Sequence, residues 1–168
     1  MRKGMEYFIL SAQRGNPVPQ IGSWYGKLDV RKLNRKDYRE LPEYFLMEMK
    51  TGTDILYPDV MLTPFFMVSR EAMEIIRMYE EKMPFLYIVM IDTYKRESRS
   101  YFCPVLAEAD GECREAVYRV RKGNEWEVRI RLDLAESLLL RGAEGMELAL
   151  PEEEGQGKGN GRWERNIW

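Results

Sequence analysis

The sequence predicts an α+β fold, a single domain built on a mixed, mostly antiparallel sheet with two principal helices. Two stretches repeat apolar residues at helical spacing, over 70–81 and again from Asp133 to Gly142. Short runs of alternating or continuous apolar residues surround them. Clusters of Gly, Pro, Asn and Asp punctuate the whole. A length of 168 residues argues for one domain with a sizeable core. The reading places that domain at residues 1–150. Residues 151–168 are Gly- and Glu-rich and are expected to be a disordered tail, ending in the aromatics Trp163 and Trp168.

The elements follow in order. Residues 5–11, rich in Tyr, Phe and Ile, read as a strand entering the core. Gly15, Asn16, Pro17, Pro19 and Gly22 mark a loop, and the alternation of Leu28 with Val30 is a weak strand signal. The basic run Arg31, Lys32, Arg35 and Lys36 reads as a solvated turn. Residues 43–49 are bracketed by Pro42 and Thr51-Gly52, which favours a strand over a short helix. Residues 65–68 read as a short buried strand.

Ser69 supplies an N-cap for a helix over 70–81, whose stripe is Ala72, Ile75, Ile76 and Tyr79. Pro84 ends that stretch. The continuous apolar run 85–91 predicts a strand buried on both faces. Residues 101–106 form a strand whose Pro104 places it at an edge or near its end.

A hairpin follows. Pairing the apolar faces sets Val120 against Val128, Tyr118 against Ile130 and Ala116 against Leu132, with Gly123, Asn124 and Glu125 as a three-residue loop. Asp133 and Glu136 have capping-box spacing for the second helix, with Leu134, Ala135, Leu138 and Leu139 as its stripe. Gly142 stands where a glycine ends a helix, and Met146, Leu148 and Leu150 alternate as a last strand.

Composition excludes several chemistries. There is no histidine, which removes Ser-His and Cys-His catalysis and His-containing zinc sites. No metal site and no cofactor are expected. The 26 basic and 28 acidic residues give a net charge of −2, so no overall positive field draws the protein to nucleic acid or to an acidic membrane. Cys103 and Cys113 are too few for a disulfide framework and too far apart for a CxxC motif, and whether they pair stays open. No apolar stretch reaches the length of about 20 residues that a membrane helix needs. A cytoplasmic location is expected.

Two surfaces stand out as partner-binding candidates. The hairpin register above gathers Arg119, Arg121, Arg129 and Arg131 on one polar face against a single acid, Glu127. Arg presents a planar fork suited to carboxylates, and so this face fits an acidic partner. Trp24 and Tyr25 sit beside a Gly/Pro loop, and such aromatics anchor either cores or interfaces. Asp92 and Asp133 could serve as acid and base in an enzyme, although turn formation and helix capping explain them more simply. No catalytic residue is expected.

Five segments, "EYFILS", "WYGKLDVRKL", "FFMVSREAMEIIRMYE", "LYIVMIDT" and "RLDLAESLLLRGAEGMELAL", resemble small Firmicutes proteins similar to immunity family eleven of bacterial polymorphic toxin systems. The resemblance spans most of residues 5–150 and implies a non-catalytic cytoplasmic protein that neutralises a cognate toxin or secreted effector by binding it. An enzyme of unknown type using carboxylate, Tyr or Lys groups and an adaptor in a secretion system are the alternatives.

Overall fold

The computed structural model describes residues 6–15, 17–22, 28–52, 55–111 and 113–151. The tail falls outside them, as do Trp24 and Tyr25. The elements run β1 (Tyr7–Ala12), β2 (Gln20–Gly22), 3-10 turns at Val30–Lys32 and Tyr38–Glu40, β3 (Tyr44–Lys50), β4 (Val60–Met61), β5 (Met67–Val68) and α1 (Arg70–Tyr79). There follow β6 (Phe85–Asp92), β7 (Glu97–Pro104), β8 (Glu108–Ala109), β9 (Val117–Lys122), β10 (Glu125–Arg131), α2 (Leu132–Leu140) and β11 (Met146–Ala149).

The fold is α+β and mostly antiparallel, with two α-helices among the described residues. Its strands divide into two sheets rather than one. The first has the order β11-β1-β10-β9-β8 and the second β2-β3-β6-β7-β5-β4. Parallel pairing occurs between β3 and β6 and between β8 and β9.

The core has two clusters, and the first draws on both sheets, since Val60 of β4 and Val68 of β5 join it. Leu10, Val117, Val128 and Ile130 of the first sheet pack with Ala72, Ile75 and Ile76 of α1 and with Leu134, Ala135 and Leu138 of α2. In the second sheet, Phe45, Met47, Ile88, Met90, Tyr101 and Cys103 form a cluster covered by Leu28 and Leu33. Arg35 fastens that covering segment, its Nε donating to the Val105 carbonyl and its Nη2 reaching Glu115 Oε1 at 2.7 Å.

Local chemistry explains where several elements begin and end. Ser69 Oγ accepts from the Ala72 amide, as the cap signal predicts. α2 starts one residue before Asp133, with Arg131 at the cap position. The Asp133 carboxylate accepts from Leu134 N and Arg131 Nε instead of forming a capping box. Gly142, at φ +83°, ends α2: its N–H donates to Leu139 O and that of Ala143 to Leu138 O, a Schellman pair. Leu139, expected in the buried stripe, is 51% exposed, because only Leu134, Ala135 and Leu138 reach the core.

Three further expectations are corrected. Val30 lies in a 3-10 turn rather than a strand, because the Asp29 carboxylate accepts from Arg31 N and caps the turn. β7 begins at Glu97, where the β6–β7 hairpin starts its ladder with Asp92 opposite Glu97. β6 alternates rather than being buried on both sides: Leu86, Ile88 and Met90 are buried, while Tyr87, Val89 and Ile91 are only half-buried.

Asp59 joins three parts of the chain. Its carboxylate accepts from Ser69 Oγ at 2.6 Å and from Glu144 N at 2.7 Å, and its N–H donates to Glu144 O. Beside it the buried Tyr101 hydroxyl donates to Pro58 O at 2.7 Å. Burial raises the Tyr101 pKa, so the phenol stays a donor. Gly145, at φ +89°, packs directly on Pro58.

The buried Asp92 closes the β6–β7 turn. It accepts from the Thr51 hydroxyl and from the Tyr94 and Lys95 amides. The Thr51 bond first, then the backbone bonds, hold its carboxyl below the ordinary carboxylate range. Arg131 does the same for Asp133. A depressed carboxylate contributes stability that is complete above its unfolded pKa of about 4 and is lost as pH falls through the folded value. Urea midpoints are therefore expected to fall below about pH 4. Asp92→Asn should flatten that fall, and an unchanged slope would remove Asp92 as a contributor.

Candidate functional site

The register of β9 with β10 determines the site. Val117 pairs with Ile130, Arg119 with Val128 and Arg121 with Trp126. Partners directly across a ladder share a face. Arg119, Arg121 and Trp126 therefore lie on the side of the sheet that carries the buried Val128, Ile130 and Leu10. Arg129 pairs with Tyr118, and Glu127 with Val120, on the opposite side. This is one residue away from the predicted register, and it splits the expected four-arginine face into two pairs on opposite sides.

The slip has a physical cause. The hairpin loop is the two-residue Gly123-Asn124, with Gly123 at φ +63° in the first central position, where a type II′ turn demands glycine. Glu125 then joins the ladder opposite Lys122, an opposite-charge pair. The apolar face of β9 lies on the opposite side from Arg119 and Arg121, where Tyr118 and Val120 are buried.

On the outer side the arginines are engaged within the fold. Arg129 Nε donates to Glu127 Oε2 at 2.6 Å, and the two side chains are 15% and 20% exposed. Arg131 binds Asp133 Oδ1 at 2.7 Å and the Arg114 carbonyl at 3.0 Å. Tyr7 stacks edge-on against Tyr118, centroids 5.3 Å apart, and its hydroxyl donates to the Cys113 and Glu115 carbonyls. Arg129→Glu should therefore place two carboxylates together in a half-buried site and destabilise the fold by about 1–2 kcal/mol, read as a lower urea midpoint. An unshifted midpoint would refute a structural role for this pair.

On the inner side Arg119, Arg121 and Trp126 line a cleft of about 790 Å³. Its other walls come from Val30 and Leu33, from residues 62–66, from the end of β7 and from Glu108 of β8. The parallel β8–β9 ladder sets Glu108 beside Arg119, and the two form an ion pair. The Arg119 Cζ lies 4.0 Å from the centroid of the Trp126 ring, and that of Arg121 lies 5.0 Å from it. Each distance falls within cation–π range. Arg121 Nε donates to the Gly123 carbonyl in the turn. Arg119 Nε is buried and has no hydrogen-bond partner among the described residues.

Cys103 also lines the cleft, yet it is buried, and burial pushes its thiol up to about 12. At neutral pH it stays protonated and is a poor nucleophile. Both cysteines are free. Asp92 and Asp133 are not among the residues that line the cleft. Among the described residues, no group of three His, Cys, Asp or Glu side chains could hold a metal ion, and no helix is long and apolar enough to cross a membrane.

The structure brings Arg119 and Arg121 together in the cleft and takes Arg129 and Arg131 away from it. Trp24 and Tyr25 lie outside the described residues. Sequence reasoning missed Trp126, Glu108 and the Phe65–Phe66 wall. A signal for Trp126 was present, since a Trp next to a Gly-Asn turn falls opposite Arg121 once the loop is shortened to two residues. No protein-family model matches the chain, and no curated protein matches it.

Proposed function

We propose that this chain is a non-catalytic protein-binding domain, an immunity protein that neutralises a cognate bacterial toxin by capturing it in the cytoplasm. The observation that carries the reading is the cleft, lined by both apolar and charged side chains, where Arg119 and Arg121 both approach the ring of Trp126. Arg and Trp dominate binding energy in protein interfaces. The protonated Cys103 thiol and the pairing of Glu108 with Arg119 fit recognition better than turnover. The five family-like segments point the same way.

Co-expression with toxin genes from the same locus tests it. A stoichiometric complex and protected cells are expected. Unprotected cells and no complex with any of them would overturn the reading. A second reading is an enzyme of unknown type, favoured by the volume of the cleft, which lies in the range of small-molecule sites. Turnover of a small molecule, abolished by Glu108→Gln, would establish it instead.

A further inference from the structure

We propose that the cleft is a carboxylate site for an acidic segment of a protein partner. One Asp or Glu side chain sits against Arg119 and Arg121, and a neighbouring apolar side chain rests on Phe65 and Phe66. This deepens the reading of the cleft as a partner surface and rests on it.

Charge within the cleft argues for an anion. Arg119 and Arg121 are two residues apart on one face of β9, so their guanidinium groups are neighbours. Like charges side by side on a sheet are unfavourable. Glu108 answers Arg119 alone. Arg121 has the Gly123 carbonyl and the Trp126 ring but no acid within ion-pair distance among the described residues. An incoming carboxylate relieves that repulsion.

The open donor is the second argument. Arg119 commits Nη2 to Glu108, which leaves Nε buried and unpaired. An unmade hydrogen bond at a buried charged group is costly, and a carboxylate takes two parallel N–H bonds from one guanidinium edge. A small rotation of the 15%-exposed Arg119 side chain toward an anion would satisfy Nε.

The type of anion follows from the remaining lining. Glu108 and Glu125 also border the cleft, and they repel a dianionic phosphate more strongly than a single carboxylate. Phe65, Phe66, Leu62 and Val128 give the floor an apolar surface that a peptide side chain can cover. An acidic peptide fits both features, whereas a nucleic-acid backbone, whose phosphodiester also carries a single charge, offers no apolar side chain to cover that surface.

The test uses the full chain, labelled for detection of the Trp126 indole and Arg119 Nε–H signals. The probes are a capped Leu-Glu-Phe-Glu peptide, its Leu-Gln-Phe-Gln counterpart and a short oligothymidylate, each to millimolar concentration. The acidic peptide should shift both signals saturably and bind about tenfold or more tightly than the amide peptide. Arg121→Gln, an exposed change that leaves the core intact, should narrow that ratio severalfold. Equal binding of the two peptides, preference for the oligothymidylate, or no shift overturns the proposal. If the peptide fails while a toxin complex still forms, the carboxylate site falls and the immunity reading stands. If the peptide binds and no toxin is captured, the reverse holds.

Discussion

Gly145→Ala is expected to destabilise the fold by about 3 kcal/mol, the joint cost of a left-handed non-glycine residue and an overpacked contact. At φ +89° only glycine is unstrained. A methyl group there would also overlap Cβ of Pro58 and approach its Cα to 3.3 Å. The proline ring cannot swing aside, because the Pro58 carbonyl is held by the Tyr101 hydroxyl and the next residue, Asp59, is tied to Glu144 and Ser69. Gly142→Ala is the control. That glycine has a similar φ of +83°, but nothing lies within 4 Å of the added atom. Its replacement should cost about 1 kcal/mol, the backbone term alone. Urea denaturation of the two variants reads the difference, and equal losses would refute the steric role of Pro58.

Trp126→Ala is expected to weaken capture of the protein partner about a hundredfold, the scale of an interface hot spot. The same change should lower stability by less than about 1 kcal/mol, because the ring sits at the rim of the cleft and is 38% exposed. It removes the surface against which both guanidinium groups lie. Arg129→Glu should behave oppositely, losing stability while binding as the parent does. Titration of the partner by calorimetry separates the two. Undiminished affinity in Trp126→Ala would place the interface elsewhere.

Local signals in the sequence were reliable where one physical effect dominated. The stripe of α1, its Ser69 cap and the Gly142 terminus each follow from residues a few positions apart, and all are seen. The strand at 43–49 was also legible, since Pro42 and Gly52 limit its length. The second sheet was not. Its β3–β6 pairing is parallel, and a parallel partner leaves no turn in the sequence to announce it.

The site was legible in part. The sequence marks Arg119 and Arg121 as binding candidates, but the face they occupy depends on a loop of two residues rather than three. Both lengths suit Gly123 and Asn124, and hydrophobic alternation favours the longer one because it matches Tyr118 and Val120 with Ile130 and Val128, whereas the fold buries the first two on one side of the sheet and the last two on the other. The charge pairs Glu125 with Lys122 and Glu108 with Arg119 favour the observed register. The second of these comes from β8, a strand that no local pattern reveals.

The position of β1 constrains how the protein is made. It lies in the interior of its sheet, between β10 and β11, although it is the first strand among the described residues. Its ladder partners run from Val128 to Arg131 on one flank and from Met146 to Ala149 on the other. During translation it emerges well before either ladder partner and then waits, unpaired, until residues 128–131 and 146–149 have left the ribosome. Sheet closure is thus a late event with high contact order, and nascent chains stalled before Val128 should remain sensitive to protease.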